Sequence, residues 1–385
     1  MFNLLRKIGG KQQLPESLLL IKADLKKYNS VSILEEQHLS WGDQQLLQLI
    51  RLKTKQLNLN NLTRTKAYLD FYIFRPEIHW AFLGHMVSRN GGWNMTDLKG
   101  EFLSRLMNEK TKQDFYSFLE RGNWLIFQDV YPQFLLYEES LFQSRNLFYL
   151  LPYLNVSAFM EVIWNRFWEE SDSYTLAIAL IINEQNYLEN RIVRNSFYQR
   201  KVFQTFEFVL QDLLSFNQIL FPFTDSGKPT EKAPLTGLTL HQFGSLHERI
   251  MLGKDLYRLL FHEADLLEKV YRWATTHPHT GSRKDYWPDV FNDVFEGVPG
   301  LAITRRLKSC ALRKGALRLY SPRLEYVWEN IPHHEAEAGD WFEHWRVVDY
   351  LIEVKEPING KVMGEYCETL ERLELAAIAK TAIFT

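Results

Sequence analysis

Histidine and arginine side chains concentrate in two stretches of the chain, and both residue types can do acid–base or anion chemistry. The stretches are PEIHWAFLGHMVSRNGGWNMTDLKG, from Pro76, and THPHTGSRKDYWP, from Thr276. A histidine exchanges protons near neutral pH, and an arginine stabilises a developing negative charge. These stretches supply three candidate acid–base residues: His79, His85 and His279.

The first stretch predicts a buried helix. Advancing about 100° per residue from Ile78 places apolar or small side chains on all sides, so its polar groups point into the interior. The asparagine and two glycines after Arg89 predict that the helix ends there, because these residues accept left-handed conformations. Arg89 and Asn90 are therefore candidate ligand-binding residues beside a turn. The alternative is that each polar group is bonded within the core.

The second stretch precedes the strongest charge bias in the chain. Seven basic and no acidic residues lie in 301–323, whereas 324–356 holds nine acidic and two basic residues. If 304–314 is helical, Arg305 and Arg306 share one face with Ser309 and Arg313. A phosphate-bearing ligand would then contact four basic residues: Arg283, Lys284, Arg305 and Arg306. The alternative is that the basic and acidic stretches pair with each other.

A third candidate comes from the helix predicted over LAIALIINEQNYLENRIV. Gln185 falls on its apolar stripe, and Glu184 borders it. A glutamine in that position forms either part of a pocket wall or an interhelical hydrogen bond. Gln185 is therefore included among the candidate ligand-binding residues.

Metal and cofactor motifs are not found. His79 and His85 are six residues apart, which leaves their side chains about 120° and about 9 Å apart on a helix, too far to chelate one metal. No phosphate-binding loop, dinucleotide fingerprint or nucleophile elbow occurs. We therefore predict no metal and no cofactor.

Composition limits the class of protein. The 385 residues carry a formal net charge of −2, which argues against a general nucleic-acid binder, although nucleic acid is not excluded. The longest apolar run, 176–182, is far shorter than the roughly 20 residues of a membrane span. The chain has two cysteines, Cys310 and Cys367, which predicts no disulfide framework and a reducing, cytoplasmic location.

The apolar spacing predicts an all-α protein, a multi-helix bundle with short strands near the C-terminus. Helices are expected to start after Pro15, Ser40 and Ser245. We predict an N-terminal helical segment (1–60), a helical core with the HWAFLGH and NEQNY blocks (61–221), a loop or linker (222–240) and a C-terminal helical part packed on the core (241–385).

Four blocks carry a resemblance to a known family: TRTKAYLDFY, PEIHWAFLGHMVSRNGGWNMTDLKG, INEQNYLE and HTGSRKDYWP. In these the chain resembles the YppC-like family of Firmicute proteins, from about Asn61 to about Ile331. The resemblance implies a cytoplasmic bacterial protein. The family has no assigned function, so the resemblance transfers no catalytic residue.

Two functions from different classes fit these patterns. The favoured one is a binding or interaction protein with a pocket for an anionic, phosphate-bearing ligand; its protein partners are unknown. The alternative is a hydrolase or transferase acting on a phosphate-containing substrate, with histidine as acid or base and arginine as charge stabiliser. The enzyme is favoured if the NGGW turn, Gln185 and the HTGSRK turn meet in one cleft.

Overall fold

Helices dominate the computed structural model, which describes residues 14–27, 38–203, 218–225, 232–297, 304–354, 356 and 358–384. Within these ranges, ten helices exceed ten residues, so the predicted multi-helix, all-α fold is confirmed. They are α1 (Glu16–Lys27), α2 (Trp41–Leu57), α3 (Asn61–Phe74), α4 (His79–Asp97), α5 (Glu109–Gln143), α6 (Ala158–Glu170), α7 (Ser173–Leu188), α8 (Leu246–Phe261), α9 (Ala264–Thr276) and α10 (Met363–Phe384).

The predicted helix starts are confirmed by their capping contacts. The Ser40 side chain accepts a hydrogen bond from the Asp43 N–H at 3.1 Å and caps α2. The Ser245 hydroxyl accepts from the Glu248 N–H at 3.3 Å and caps α8 in the same way. These caps satisfy N–H groups that have no partner inside the helix, which is why short sequence signals locate them.

Helix α4 lies at the centre of the fold, packed against α3, α5, α7, α8 and a strand. Its burial on nearly all sides agrees with the sequence pattern. The predicted end at Arg89 is wrong, because α4 continues through both glycines to Asp97. A Cβ on Gly92 would collide with the side chains of Asn61 and His279, so this glycine permits close packing instead of a turn.

Strands interrupt the helical fold at two places, one beside and within the predicted loop or linker and the other near the C-terminus. Gln218–Pro222 (β1) pairs antiparallel with Leu235–Thr239 (β2). The prediction of a loop or linker over 222–240 is therefore wrong for β2, and residues 226–231 lie outside the described part of the chain. The Asn90 side chain bonds both the N–H and the carbonyl of Leu220, at 2.8 and 2.9 Å, and so fastens β1 to α4.

The short strands expected near the C-terminus are present. Phe291–Asn292 (β3) pairs in parallel with Leu319–Tyr320 (β6). Leu307–Lys308 (β4) and Ala311–Leu312 (β5) form a small antiparallel hairpin. The helix expected over 304–314 is therefore wrong; the hairpin's backbone is bound instead by glutamates of α10.

One hydrophobic core extends along the chain, from Leu18 on α1 to Ala377 on α10. The four-part domain division stays a prediction. None of the helices in the described ranges is long and apolar enough to cross a lipid bilayer.

The 328–344 segment runs over the surface of the helical core and has no regular secondary structure. From Glu329 to Trp341, no backbone N–H donates to a backbone carbonyl of the described part of the chain. Side chains of the core hold the segment instead: Tyr116 donates to the Glu329 carbonyl at 3.1 Å, and Arg191 donates to carbonyls farther along. The segment is ordered by contacts from other elements and not by its own hydrogen bonds.

Glycine packing in α4 gives a first prediction. Gly92→Ala should lower the free energy of unfolding by about 1–3 kcal/mol, because the added methyl group displaces Asn61 and His279. The matched control is Gly122→Ala in α5, where a Cβ meets nothing within 4 Å. That change should be neutral or stabilising by up to about 1 kcal/mol. Urea unfolding measures both, and equal effects would contradict the packing role of Gly92.

Candidate functional site

The second histidine-rich stretch packs directly on α4. His279 Nε2 lies 2.9 Å from Asn61 Oδ1, and its Nδ1 lies 3.5 Å from an Asp285 carboxylate oxygen. Burial lowers the pKa of His279, against the opposing effect of Asp285. Asp285 also accepts from the Thr280 N–H and hydroxyl, at 2.9 and 2.6 Å. His279 is thus a largely neutral, enclosed side chain beside a carboxylate.

Arg89 binds the C-terminal end of α9. Its Nη2 donates to the carbonyls of Ala274 and His277, and its guanidinium lies 4.6 Å from the centre of the Trp273 ring. The carbonyl end of a helix carries partial negative charge, so it stabilises a buried cation. Arg89 Nη1 is buried and has no hydrogen-bond partner within the described ranges. Burial lowers the pKa of Arg89 to about 10.

The other two histidines also have neighbours, His85 at both ring nitrogens and His79 at Nδ1. His85 Nδ1 lies 2.7 Å from the Thr65 carbonyl, and its Nε2 accepts from Arg89 Nε at 3.1 Å. Burial, followed by the Arg89 charge, holds the pKa of His85 well below its usual value. His79 Nδ1 lies 2.9 Å from the Tyr257 hydroxyl, and burial lowers its pKa as well.

Arg283 forms the best-bonded ion pair of the region. Its Nε and Nη2 donate to the Asp97 carboxylate at 2.6–2.9 Å, and its Nη1 donates to the hydroxyls of Tyr286 and Tyr366 at 2.6 and 3.0 Å. Burial alone would lower the pKa of Arg283. The nearby Asp97 carboxylate, followed by Tyr286 and Tyr366, outweighs burial and raises this pKa well above its usual value. This pair joins α4 to the second stretch.

The remaining basic candidates also face carboxylates. Lys284 Nζ lies 2.6 Å from Asp293. Arg305 and Arg306 lie 2.9 Å from Glu371 and Glu101 respectively. These acidic partners lie outside 324–356, so this pairing differs from the one expected between the basic and acidic stretches.

Gln185 lies away from the other candidates. Its Oε1 accepts from Arg249 Nε at 3.0 Å across the α7–α8 interface, and its Nε2 donates to Glu184 at 3.1 Å. The structure thus brings the two histidine-rich stretches together around α4. Gln185 faces α8, and the Arg305–Arg306 segment lies on α10, so the predicted polar groups do not meet in one cleft.

Sequence reasoning missed a buried polar network around Asp129 of α5. The Asn183 amide donates to Asp129 Oδ2, as does Gln133 Nε2 at 3.1 Å. Indole N–H groups of Trp164 and Trp341 donate to Gln133 and Asn183, each at 2.8 Å. Burial raises the pKa of Asp129 to about 7, against the hydrogen bond from Asn183. The signal in the sequence was weak: one aspartate between the apolar Phe127 and Val130.

Glu184 is a second carboxyl group with a raised pKa. Burial raises this pKa to about 8, against hydrogen bonds from Gln185 and Trp80. Raised carboxyl pKa values can mark a general acid, but they also occur in packed interiors. Within the described ranges, no three His, Cys, Asp or Glu side chains lie close enough together to hold a metal ion.

A groove lies beside the start of the 328–344 segment. Its volume is about 560 Å³. One wall is the chain from Leu324 to Asn330, and the opposite wall is formed by Asn60, Leu62 and Tyr116. We call this the 324–330 groove. Tyr326 lies at the edge of this groove and is 70% exposed.

Bonded and stacked side chains join the two sides of the 324–330 groove. Trp328 stacks on Tyr116 with ring centres 4.0 Å apart and planes within 2°, and its indole donates to the Met95 carbonyl at 2.8 Å. Asn60 donates to Asn330 across the groove end at 2.9 Å. These contacts make the groove a preformed concavity.

The fold and its polar contacts define a helical protein built around a buried central helix, with a groove on its surface. The chain belongs to the family described as "Protein of unknown function (DUF2515)", whose model matches residues 56–361. It is similar to the "Uncharacterized protein YppC" of Bacillus subtilis (strain 168), with 43% identity over 240 residues, or 62% of this chain and 72% of the relative. The predicted YppC-like family is thus confirmed. No solved structure matches the chain.

The raised pKa of Asp129 predicts a pH-dependent effect of Asp129→Asn. The unfolded carboxyl group ionises near pH 4 and the folded one near 7, so the free energy of unfolding of the wild type falls as pH rises between these values. Asparagine resembles the protonated side chain and does not ionise. The free energy of unfolding of the variant, relative to that of the wild type, should therefore rise by about 2–3 kcal/mol between pH 5 and pH 8.

Urea unfolding at the two pH values measures this difference. Asp349→Asn, at an exposed position, is the control for the removal of one negative charge. A gap between Asp129→Asn and wild type that is the same at both pH values would contradict the raised pKa.

Neighbouring arginines give a matched pair of variants. Arg306→Ala leaves Glu101, whose side chain is 4% exposed, without its closest cation, and should lower the free energy of unfolding by about 2–4 kcal/mol. The Arg305 side chain is 47% exposed, so Arg305→Ala should change the free energy of unfolding by less than about 1 kcal/mol. Chemical denaturation compares the two, and equal losses would argue against the buried pair.

Proposed function

We propose that the protein is a binding protein whose 324–330 groove takes a cationic segment of a partner protein. The observation that carries the proposal is the charge of the groove. Glu325 and Glu329 line it, and neither carboxylate has a basic side chain within ion-pair distance among the described residues. An arriving lysine or arginine would find acceptors that are not already neutralised.

Neighbouring cations leave those carboxylates available. Arg323 pairs with Asp293 at 2.7 Å, and Lys99 pairs with Glu109 at 2.6 Å. Both cations lie near the groove aromatics, and each shares its carboxylate with a further lysine: Asp293 also pairs with Lys284, and Glu109 also pairs with Lys112. Glu325 and Glu329 themselves have no ion-pair partner among the described residues, and they are the acceptors that a basic partner would use.

The apolar lining suits the stems of basic side chains. Leu62 and Val327 offer aliphatic surface, and the exposed Tyr326 offers an aromatic ring. The Trp328 ring is already covered by Tyr116 and Lys99. Lysine and arginine bury their methylene stems against such surface while the charged ends reach carboxylates. An aromatic face also attracts the cation itself. The groove thus offers apolar surface for the stem of a basic side chain and carboxylates for its charged end.

An anionic, phosphate-bearing ligand is the second candidate, supported by one observation. In the part of the chain that the structure describes, no carboxylate pairs with the buried Arg89, and its Nη1 has no hydrogen-bond partner. Against it, Arg283, Lys284, Arg305 and Arg306 each face an acidic side chain that an anion would have to displace. The hydrolase or transferase alternative gains nothing from these contacts, since the polar groups do not meet in one cleft.

The groove proposal predicts the effect of removing its charge. Glu325→Gln combined with Glu329→Gln should weaken binding of a labelled nonapeptide of alternating arginine and leucine about 3- to 10-fold, and should reduce the salt dependence of that binding. Fluorescence anisotropy at low and high salt measures both. A glutamate–leucine peptide of the same length should not bind.

The control has the same net charge but changes distant exposed positions, with Glu343→Gln and Glu353→Gln combined. An equal loss of affinity in the control, or no binding of the arginine peptide to the wild type, would overturn the proposal. Titration with inorganic phosphate tests the second candidate, the anionic ligand. That candidate requires phosphate to bind the wild type and Arg89→Met to abolish this binding.

A further inference from the structure

The two cysteines of the chain meet in the structure, although 57 residues separate them in sequence. Cys310 lies in the turn between β4 and β5, and Cys367 lies on α10. Their Cα atoms are 5.0 Å apart, within the range that a disulfide requires. The sequence predicted a reducing environment and no disulfide framework, but these are the chain's only two thiol residues and they are adjacent and joined.

The backbone at Cys310 is unusual for its residue type. Ser309 and Cys310 have φ angles of 48° and 65°, which is the left-handed region at both positions of a two-residue hairpin turn. Glycine and asparagine suit such turns, whereas a residue with a larger side chain is strained there. Local preference therefore does not explain a cysteine at this position, and a contact with another element does.

Carboxylates of α10 hold the hairpin in place beside Cys367. Glu374 accepts the N–H groups of Arg306 and Leu307 at 2.8 and 3.1 Å, and Glu371 accepts that of Ser309 at 2.7 Å. These contacts involve no sulfur atom, so they bring the two thiols together whatever their oxidation state. Such preorganisation raises the effective concentration of one thiol at the other.

The pair lies at the edge of the protein. Cys310 and Cys367 are 7% and 9% exposed, and the flanking residues Ser309 and Ala311 are exposed. A small reagent therefore has a short path to the sulfur atoms. We propose that Cys310 and Cys367 form a reversible thiol–disulfide site that fixes the β4–β5 hairpin covalently to α10 when it is oxidised.

The oxidant is a low-molecular-weight disulfide. One cysteine thiolate attacks it, forming a mixed disulfide and releasing one small thiolate. The second cysteine thiolate then attacks the protein sulfur of the mixed disulfide and releases the other small thiolate. The cysteines lose two electrons and the small disulfide gains them, while the two cysteine protons pass to the released thiolates. A small dithiol reverses both steps.

Intact mass and thermal melting test the proposal on the full chain. Under native conditions, oxidised glutathione should yield a protein lighter by two hydrogen atoms that resists alkylation, and dithiothreitol should restore two alkylatable thiols. The oxidised protein should melt about 4–8 °C above the reduced one, because the bond constrains the unfolded chain. Trypsin should also cut within residues 304–318 several-fold faster after reduction.

Variants separate the disulfide from the turn itself. Cys367→Ser should melt at the same temperature with or without reductant. Cys310→Gly should also lose the redox dependence, yet should melt at or above reduced wild type, because glycine relieves the strained turn. Two freely alkylated thiols after oxidation, or identical melting and cleavage of the oxidised and reduced wild type, would overturn the proposal.

Discussion

The fold depends on the hydrogen bonding of a helix that is buried on nearly every side. Helix α4 carries His85, Arg89 and Asn90 into the interior and holds Asp97 partly buried at its last turn, and each of these polar groups needs a partner. The neighbours that supply these partners come from α3, β1, the end of α9 and the Arg283 turn. Elements remote in sequence are thus positioned by one helix.

Local signals in the sequence were sufficient for part of this structure. The caps at Ser40 and Ser245 depend on residues three positions apart, and the burial of α4 follows from its apolar periodicity. The end of α4 was not predictable in that way. Glycine ends a helix when the chain must turn, but Gly92 serves the approach of Asn61 and His279, which come from distant parts of the sequence.

For the candidate site, the sequence predicted some of the residues but not their partners. The sequence identified His85 and Arg89 as polar groups in an apolar setting, which the structure bears out by their burial. It placed Arg283 in a polar turn, although this side chain is also buried. It could not identify partners such as Asp97, because pairing depends on the tertiary fold. Asp129 and Tyr326 had no diagnostic spacing at all, so neither the buried network nor the groove could be found from the sequence.

The 328–344 segment shows that position and hydrogen-bond protection are separate properties. Side chains from the core bind its carbonyls, whereas its own N–H groups between Glu329 and Trp341 have no backbone acceptor among the described residues. Deuterium uptake reports whether an N–H group is bonded and not whether its carbon atoms are fixed. This stretch would therefore exchange rapidly while the indole rings of Trp328 and Trp341 stay anchored, and an isotope-labelling map alone would wrongly class it as an unstructured tail.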